Sequence, residues 1–266
     1  MLGGLVQIHA VPQRQGALVD KARFLPAGCL ALSQLAGDIA GVKPYVVPVS
    51  TEDSPAIDGV ANRAALIVNR TAQLAALEAP GGPVLTIGGD CGSDVVPIAV
   101  ARFRFGDNLG VAWFDAHPDL NTPETSPSGA FHGMALRVLF GEGDPEFVAS
   151  PALRPGNAVL VGARSIDEGE QAAIDRGLVS FDSFPGEQIY LHVDLDVLDP
   201  SEFGGATYPE PNGLSIAEVA AAIDGIPVPV IGAGITECAT ADEAEIRKLA
   251  PLIEAVAGVL RRGAQD

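Results

Sequence analysis

Two short stretches carry the residue types that hold divalent cations: Asp115-Ala116-His117-Pro118-Asp119 and His192-Val193-Asp194-Leu195-Asp196. Each closes a hydrophobic run, Leu109–Phe114 in one case and Ile189–Val193 in the other. Alternate side chains of an extended strand share a face. Asp115, His117 and Asp119 are therefore expected to project together, and so are Asp194 and Asp196. Carboxylates with one imidazole favour Mn²⁺ or Mg²⁺ over a thiolate-preferring ion. The donor set is large enough for more than one cation. Two cations a few ångströms apart can share a water, whose pKa falls until hydroxide is available near neutral pH. Any one of these residues alone reads as readily as a turn or helix-cap residue. Two alternating acidic motifs, each ending a strand, favour metal binding.

Four other places bear on the chemistry. Gly88-Gly89-Asp90-Cys91 follows the apolar run Val84–Ile87. The loop from Asn121 to Gly133 is rich in hydroxyls and helix breakers, and it includes Ser126, Ser128 and His132. His132 is either a surface or capping residue or, beside hydroxide, a proton shuttle. Glu237 follows the run Val230–Ile235 and is either a loop residue or a partner for a cationic substrate. Ser215-Ile216-Ala217-Glu218 is a capping-box pattern, so a substrate role for Ser215 would be additional.

These residues need a scaffold. Candidate strands are Val6–Val11, Tyr45–Val49, Val84–Ile87, Gly110–Phe114, Ala158–Val161, Leu178–Phe181, Ile189–Val193 and Val230–Ile235. Several are continuously apolar, as strands buried on both faces of a parallel sheet must be. Candidate helices are Ala17–Ala36, broken or kinked at Pro26, Ile57–Leu77, Asp94–Phe103, Phe131–Phe140, Asp167–Arg176, Ser215–Ala222 and Asp242–Leu260. The alternation predicts one α/β domain over residues 1–266 with helices on both sides of the sheet. Ligands of such sheets gather at the carboxyl ends of the strands, where both acidic motifs and Gly88–Cys91 fall.

With 34 acidic and 16 basic side chains the net charge is −18, which argues against nucleic acid or anionic membranes as partners. Part of the acidic excess is accounted for if the carboxylates are metal ligands. Met1–Ala10 lacks the features of a signal peptide, and no run has the length of a membrane span. Cys29, Cys91 and Cys238 are too scattered for a disulfide framework, so a reducing cytoplasm is expected.

On these motifs, from about Thr86 to Thr240, the chain resembles the arginase/agmatinase (ureohydrolase) family. The resemblance implies a three-layer α/β/α fold with a mainly parallel sheet, and two Mn²⁺ per chain. It also implies hydrolysis of a guanidino group with release of urea by a metal-bridging hydroxide. By the same likeness Asp115 and Asp194 bridge the metals, and His117 and Asp196 complete the second. Asp119 binds the first metal and orients the hydroxide, His132 shuttles the proton, and Glu237 holds the guanidinium.

Asn121, Ser126 and Ser128 match positions that contact an α-carboxylate, and Asp167 and Glu170 match positions that read an α-amino group. That set points to arginine or a related guanidino amino acid. Ala130 stands where arginases often have Asn. The main departure is Cys91, where the family has a metal-binding His. A thiolate suits Zn²⁺ or Fe²⁺ better than Mn²⁺, and a buried unliganded Cys with a weakened first site is the other reading. Cys91 also opens two alternatives: an Nω-hydroxyarginine hydrolase, or a metal-poor small-molecule-binding relative without turnover. The chain stops soon after its last predicted helix, so the C-terminal tail that helps some arginases trimerise is not expected. Homo-oligomerisation stays open.

Overall fold

A computed structural model of the chain describes residues 6–78 and 81–264. Residues 1–5, part of the stretch read above for a signal peptide, lie outside the described residues.

Seven strands form one sheet. They are β1 (Gln7–Val11), β2 (Tyr45–Val46), β3 (Val84–Gly88), β4 (Leu109–Phe114), β5 (Ala158–Val161), β6 (Gln188–Asp194) and β7 (Val230–Thr236). Their order across the sheet is β2-β1-β3-β7-β6-β4-β5, and every pairing is parallel. The helices between and after them are α1 (Leu25–Ala40), α2 (Arg63–Leu77), α3 (Val95–Phe105), α4 (Ala135–Leu139), α5 (Glu168–Asp175), α6 (Ile216–Asp224), α7 (Glu243–Lys248) and α8 (Ala250–Gly263).

Period-two alternation sorts the strand side chains into two cores. Ala112 and Phe114 of β4, with Leu191 and Val193 of β6, pack among residues such as Leu32, Val219 and Val256 from α1, α6 and α8. Leu109, Val111 and Trp113, with Tyr190, pack on the other face among residues such as Leu66, Ile98 and Leu136 from α2, α3 and α4. Trp113 and Phe114 are adjacent in sequence, fully buried, and fill opposite layers. The result is the expected three-layer α/β/α arrangement. Among the described residues no helix is long and apolar enough to cross a membrane.

Several expected boundaries move, each for a local reason. The strand at Tyr45–Val49 keeps two paired residues, between Pro44 and Pro48; Pro48 has no N–H to continue a ladder. Leu178–Phe181 is not a strand: its sheet contact is the single bridge Val159–Ser180. The helix expected from Ile57 begins at Arg63, because Asp58, Gly59 and Asn62 all have positive φ (51°, 79° and 55°). Pro26 does not break a helix. It sits in the first turn of α1, where a missing N–H costs nothing, and a short 3₁₀ turn (Asp20–Phe24) precedes it. The long C-terminal helix divides into α7 and α8 at Leu249, with Pro251 in the first turn of α8.

Candidate metal centre

Four strands that are neighbours in the sheet, β3, β7, β6 and β4, deliver the chemistry at their carboxyl ends. Past β4 lies Asp115; past β3 the chain turns into a 3₁₀ segment that starts at Cys91; Asp194 ends β6; Glu237 follows β7.

The donors converge, though not by strand alternation as expected. β4 stops at Phe114, so the stretch Asp115–Asp119 is a turn, and Asp119 has φ 53°. The Asp119 carbonyl accepts the backbone N–H groups of Leu136 (3.1 Å) and Arg137 (3.1 Å). The acidic loop is thereby locked to the start of α4. Asp196 lies in a 3₁₀ turn beyond β6, where its N–H donates to Asp194 Oδ1 at 2.7 Å.

One half of the cluster is Asp115, His117 and Asp196, whose ligand atoms lie within 4.8 Å of one another. His117 Nδ1 is 2.9 Å from Asp196 Oδ2 and 3.5 Å from Asp115 Oδ1. Asp115 also accepts from Trp113 Nε1 (3.0 Å) and from the His117 N–H (2.6 Å). Asp196 accepts from the Ala116 N–H at 2.9 Å. The other half is Cys91, Asp194 and Glu237, again within 4.8 Å. Cys91 Sγ donates to Asp194 Oδ2 at 3.0 Å, and the Cys91 N–H donates to Glu237 Oε1 at 3.1 Å. His132 Nδ1 is 3.1 Å from the same Glu237 oxygen.

Charge is poorly balanced within this cluster. Burial, and then the charge of Asp196, push Asp115 up to about 8. Burial and neighbouring carboxylates push Asp119 and Asp194 well above the usual carboxylate range. Asp196 goes the other way: burial would raise it, but the bond and charge of His117, with the Ala116 N–H, together outweigh burial. Burial likewise disfavours a charged His117, yet its bonds to Asp115 and Asp196 raise its pKa strongly. His132 is raised because Glu237 outweighs burial. Cys91 is raised by burial and by the acids around it. Asp119 Oδ2, Glu237 Oε2 and His192 Nε2 are buried with no hydrogen-bond partner. Buried acceptors in excess, several without partners, are what a divalent cation pair would satisfy. The residues fit such a group, with Cys91 as the one soft donor among hard ones.

Above the cluster opens a cleft of about 270 Å³. His117, Asp119, Asp194 and Asp196 reach it from the cluster, with His132 at the wall. Asn121, Ser126, Ser128, Asp167 and Glu170 line the rest. Asn121 Nδ2 donates to Asp167 Oδ2 at 2.7 Å. Asp167 also caps α5 in a capping box with Glu170, a pattern not read from the sequence. Ser126 Oγ and Ser128 Oγ accept from the Gly129 (3.0 Å) and Ala130 (3.2 Å) N–H groups. Ser215 lies outside this lining and closes the capping box of α6 with Glu218, as its motif predicts. Cys91, Asp115 and Glu237 lie beneath the lining. Tyr208 was not foreseen: it lines the cleft with its ring centroid 5.0 Å from that of His132, and nothing local in the sequence marks it. The roles of Trp113, His192 and Asp94 around the cluster were also missed. His192 did carry a signal, because it stands two residues before Asp194 and so shares its strand face.

A family model described as the arginase family matches residues 22–183 and 180–253. The arginase of Bacillus subtilis is 37% identical over 158 residues, covering 50% of this chain and 53% of that protein. The arginase of Entamoeba histolytica is 33% identical over 164 residues, or 51% of this chain and 54% of the relative. The chain thus spans about half the length of the curated relatives it matches. Among solved structures, the Entamoeba histolytica arginase in complex with L-ornithine superposes with TM-score 0.81 and 25% identity, covering 96% of this chain and 97% of that one. The proclavaminate amidino hydrolase of Streptomyces clavuligerus has TM-score 0.72 at 21% identity, covering 98% and 91%, a likeness of fold.

Proposed function

Because this chain belongs to the arginase family, we propose that it hydrolyses the guanidino group of arginine or a related guanidino amino acid, releasing urea. The observation that carries this reading is the convergence of Asp115, His117, Asp119, Asp194 and Asp196 from adjacent strand ends onto the floor of one cleft. Asp115 and Asp194 would be shared between two cations, His117 and Asp196 would hold one, and Cys91 and Asp119 the other. Mn²⁺ is the family's expectation for both, and Cys91 draws the first site towards a softer ion. When bound, the cations supply Lewis-acid charge and hydroxide near neutral pH.

The chain's own groups do the rest. Asp119 Oδ2 is a buried acceptor without a partner, placed to hold the proton of the nucleophile. Glu237 commits Oε1 to His132 and to the Cys91 N–H. Its Oε2 has no partner and would accept from a guanidinium, fixing its approach. His132 Nδ1 is engaged by Glu237, which leaves Nε2 to protonate the departing amine. Its raised pKa suits a proton donor. Asn121, Ser126 and Ser128 would receive an α-carboxylate, and Asp167 and Glu170 an α-amino group. One observation favours a second reading: Cys91 in the metal cluster also suits an Nω-hydroxyarginine hydrolase.

The test screens arginine, agmatine and other guanidino acids for urea, and Nω-hydroxyarginine for N-hydroxyurea, with Mn²⁺, Zn²⁺, Co²⁺ and Fe²⁺. Urea from a guanidino amino acid, and much less from agmatine, is expected. Neither urea nor N-hydroxyurea from any of them overturns the proposal. A marked preference for Nω-hydroxyarginine selects the second reading.

A further inference from the structure

His192 takes no part in the reading above, yet its surroundings are built. It sits on β6 two residues before Asp194, so the two side chains leave the same face of the sheet. Its side chain is fully buried and stacks on Trp113, with ring centroids 3.5 Å apart and planes at 14°. Nδ1 is 2.8 Å from Asp94 Oδ2, and Tyr190 Oη donates to Asp94 Oδ1 at 2.7 Å. Asp94 reaches this position because residue 234 is Gly: a Cβ there would stand 2.0 Å from Asp94 Oδ2.

An ionised carboxylate only accepts, so the Asp94 contact places the hydrogen of a neutral imidazole on Nδ1. The lone pair is then on Nε2, which is buried and has no hydrogen-bond partner. A buried acceptor left unmet is uncommon in a histidine that serves packing alone. A ring nitrogen of His192, Cys91 Sγ and an Asp115 oxygen all lie within 4.8 Å of one another. Since Nδ1 is held by Asp94, Nε2 is the nitrogen with a free lone pair. A carboxylate fixing the far nitrogen of a ligating imidazole is a recurrent way to orient it and raise its basicity.

We propose that His192 is a metal ligand through Nε2, completing with Cys91 and Asp115 a nitrogen–sulfur–oxygen site that selects Zn²⁺ or Co²⁺ over Mn²⁺. Asp94 is its positioning residue. Cys91 then does not leave the first half of the centre short of an imidazole, because the imidazole comes from β6. The proposal rests on the reading of the cluster as a two-cation centre, and it does not depend on the substrate.

The test uses the full chain, stripped of metal and reloaded with Co²⁺ or Cd²⁺. Wild-type protein should show a thiolate-to-cobalt charge-transfer band. His192→Gln should weaken binding at the Cys91 half at least about 100-fold and abolish or shift that band, with the ion of the His117 half retained. Asp94→Asn should weaken the same half by about 10–100-fold. A cobalt spectrum and stoichiometry unchanged in His192→Gln overturn the proposal. Should that variant not fold, cadmium NMR of wild-type protein carrying isotope-labelled histidine decides. The cadmium signal shifted by sulfur must also couple to an imidazole nitrogen, and the absence of that coupling overturns the proposal. No readout here is catalytic. A protein that releases no urea but shows the coupling would sink the proposed function alone.

Discussion

The two halves of the centre are built on opposite electrostatic terms. Asp115, His117 and Asp196 carry a basic group of their own, and His117 is 26% exposed at the cleft. Its bonds hold Asp196 below the ordinary carboxylate range. Cys91, Asp194 and His192 are no more than 3% exposed, and among the described residues no basic side chain hydrogen-bonds Cys91 or Asp194 as His117 does Asp196. His132 reaches this half only through Glu237. Burial there raises Cys91 and Asp194 rather than stabilising their charge. The half with an imidazole thus offsets part of its own charge, although burial still raises Asp115 within it to about 8. A sealed half of acids and a thiol is offset only by protons or by a metal, so an ion held there would be an element of structure as well as of chemistry.

The largest test of this contrast removes what the halves share. Asp115→Ala should reduce bound metal below one ion per chain and bring urea release to background, by metal analysis and by rate. A variant that still holds one ion tightly would mean that a single half is self-sufficient. A smaller effect comes from exchanging one donor. Cys91→His should raise Mn²⁺ affinity by about tenfold or more while Zn²⁺ preference falls, followed by competitive metal titration. Unchanged Mn²⁺ affinity would mean that Cys91 is not a ligand.

The smallest effect sets both halves against a carboxylate that already has its partner. Burial pushes Asp144 up, but the bonds from Arg63 and from the Glu146 N–H, with the charge of Arg63, together hold it below its ordinary value. Its contribution is therefore present above the normal carboxylate range and lost as pH falls through the lowered value. Asp144→Asn should cost about 1 kcal/mol near neutrality, since the amide oxygen can keep one of the two hydrogen bonds from Arg63. The variant should also flatten the stability loss below about pH 4. Thermal melts across the acid limb check this, and an unchanged acid limb would remove Asp144 from the account.

Most donors were legible because acidic residues at the ends of apolar runs have few structural reasons to cluster. The cleft residues Asn121, Ser126, Ser128, Asp167 and Glu170 were legible through a family likeness rather than through local pattern. Helix starts were misplaced where positive φ at Asp58, Gly59 and Asn62 delayed α2. The turn at Asp119 was invisible for the same reason: a left-handed aspartate carries no distinctive neighbours. His192 stood in plain view within its motif, but its worth depends on Asp94, and the hydrogen bond between them spans 98 residues.

By itself the sequence determined which donors this protein owns, that one of them is a thiol, and that an apolar α/β frame carries them. Only the tertiary structure decided which donors stand together. Donor type is covalent chemistry and can be read residue by residue. Donor partnership depends on strand order, and it is the adjacency of β3, β7, β6 and β4 that brings Cys91 beside Glu237, 146 residues away, and sets the nitrogen of His192 near the thiol of Cys91.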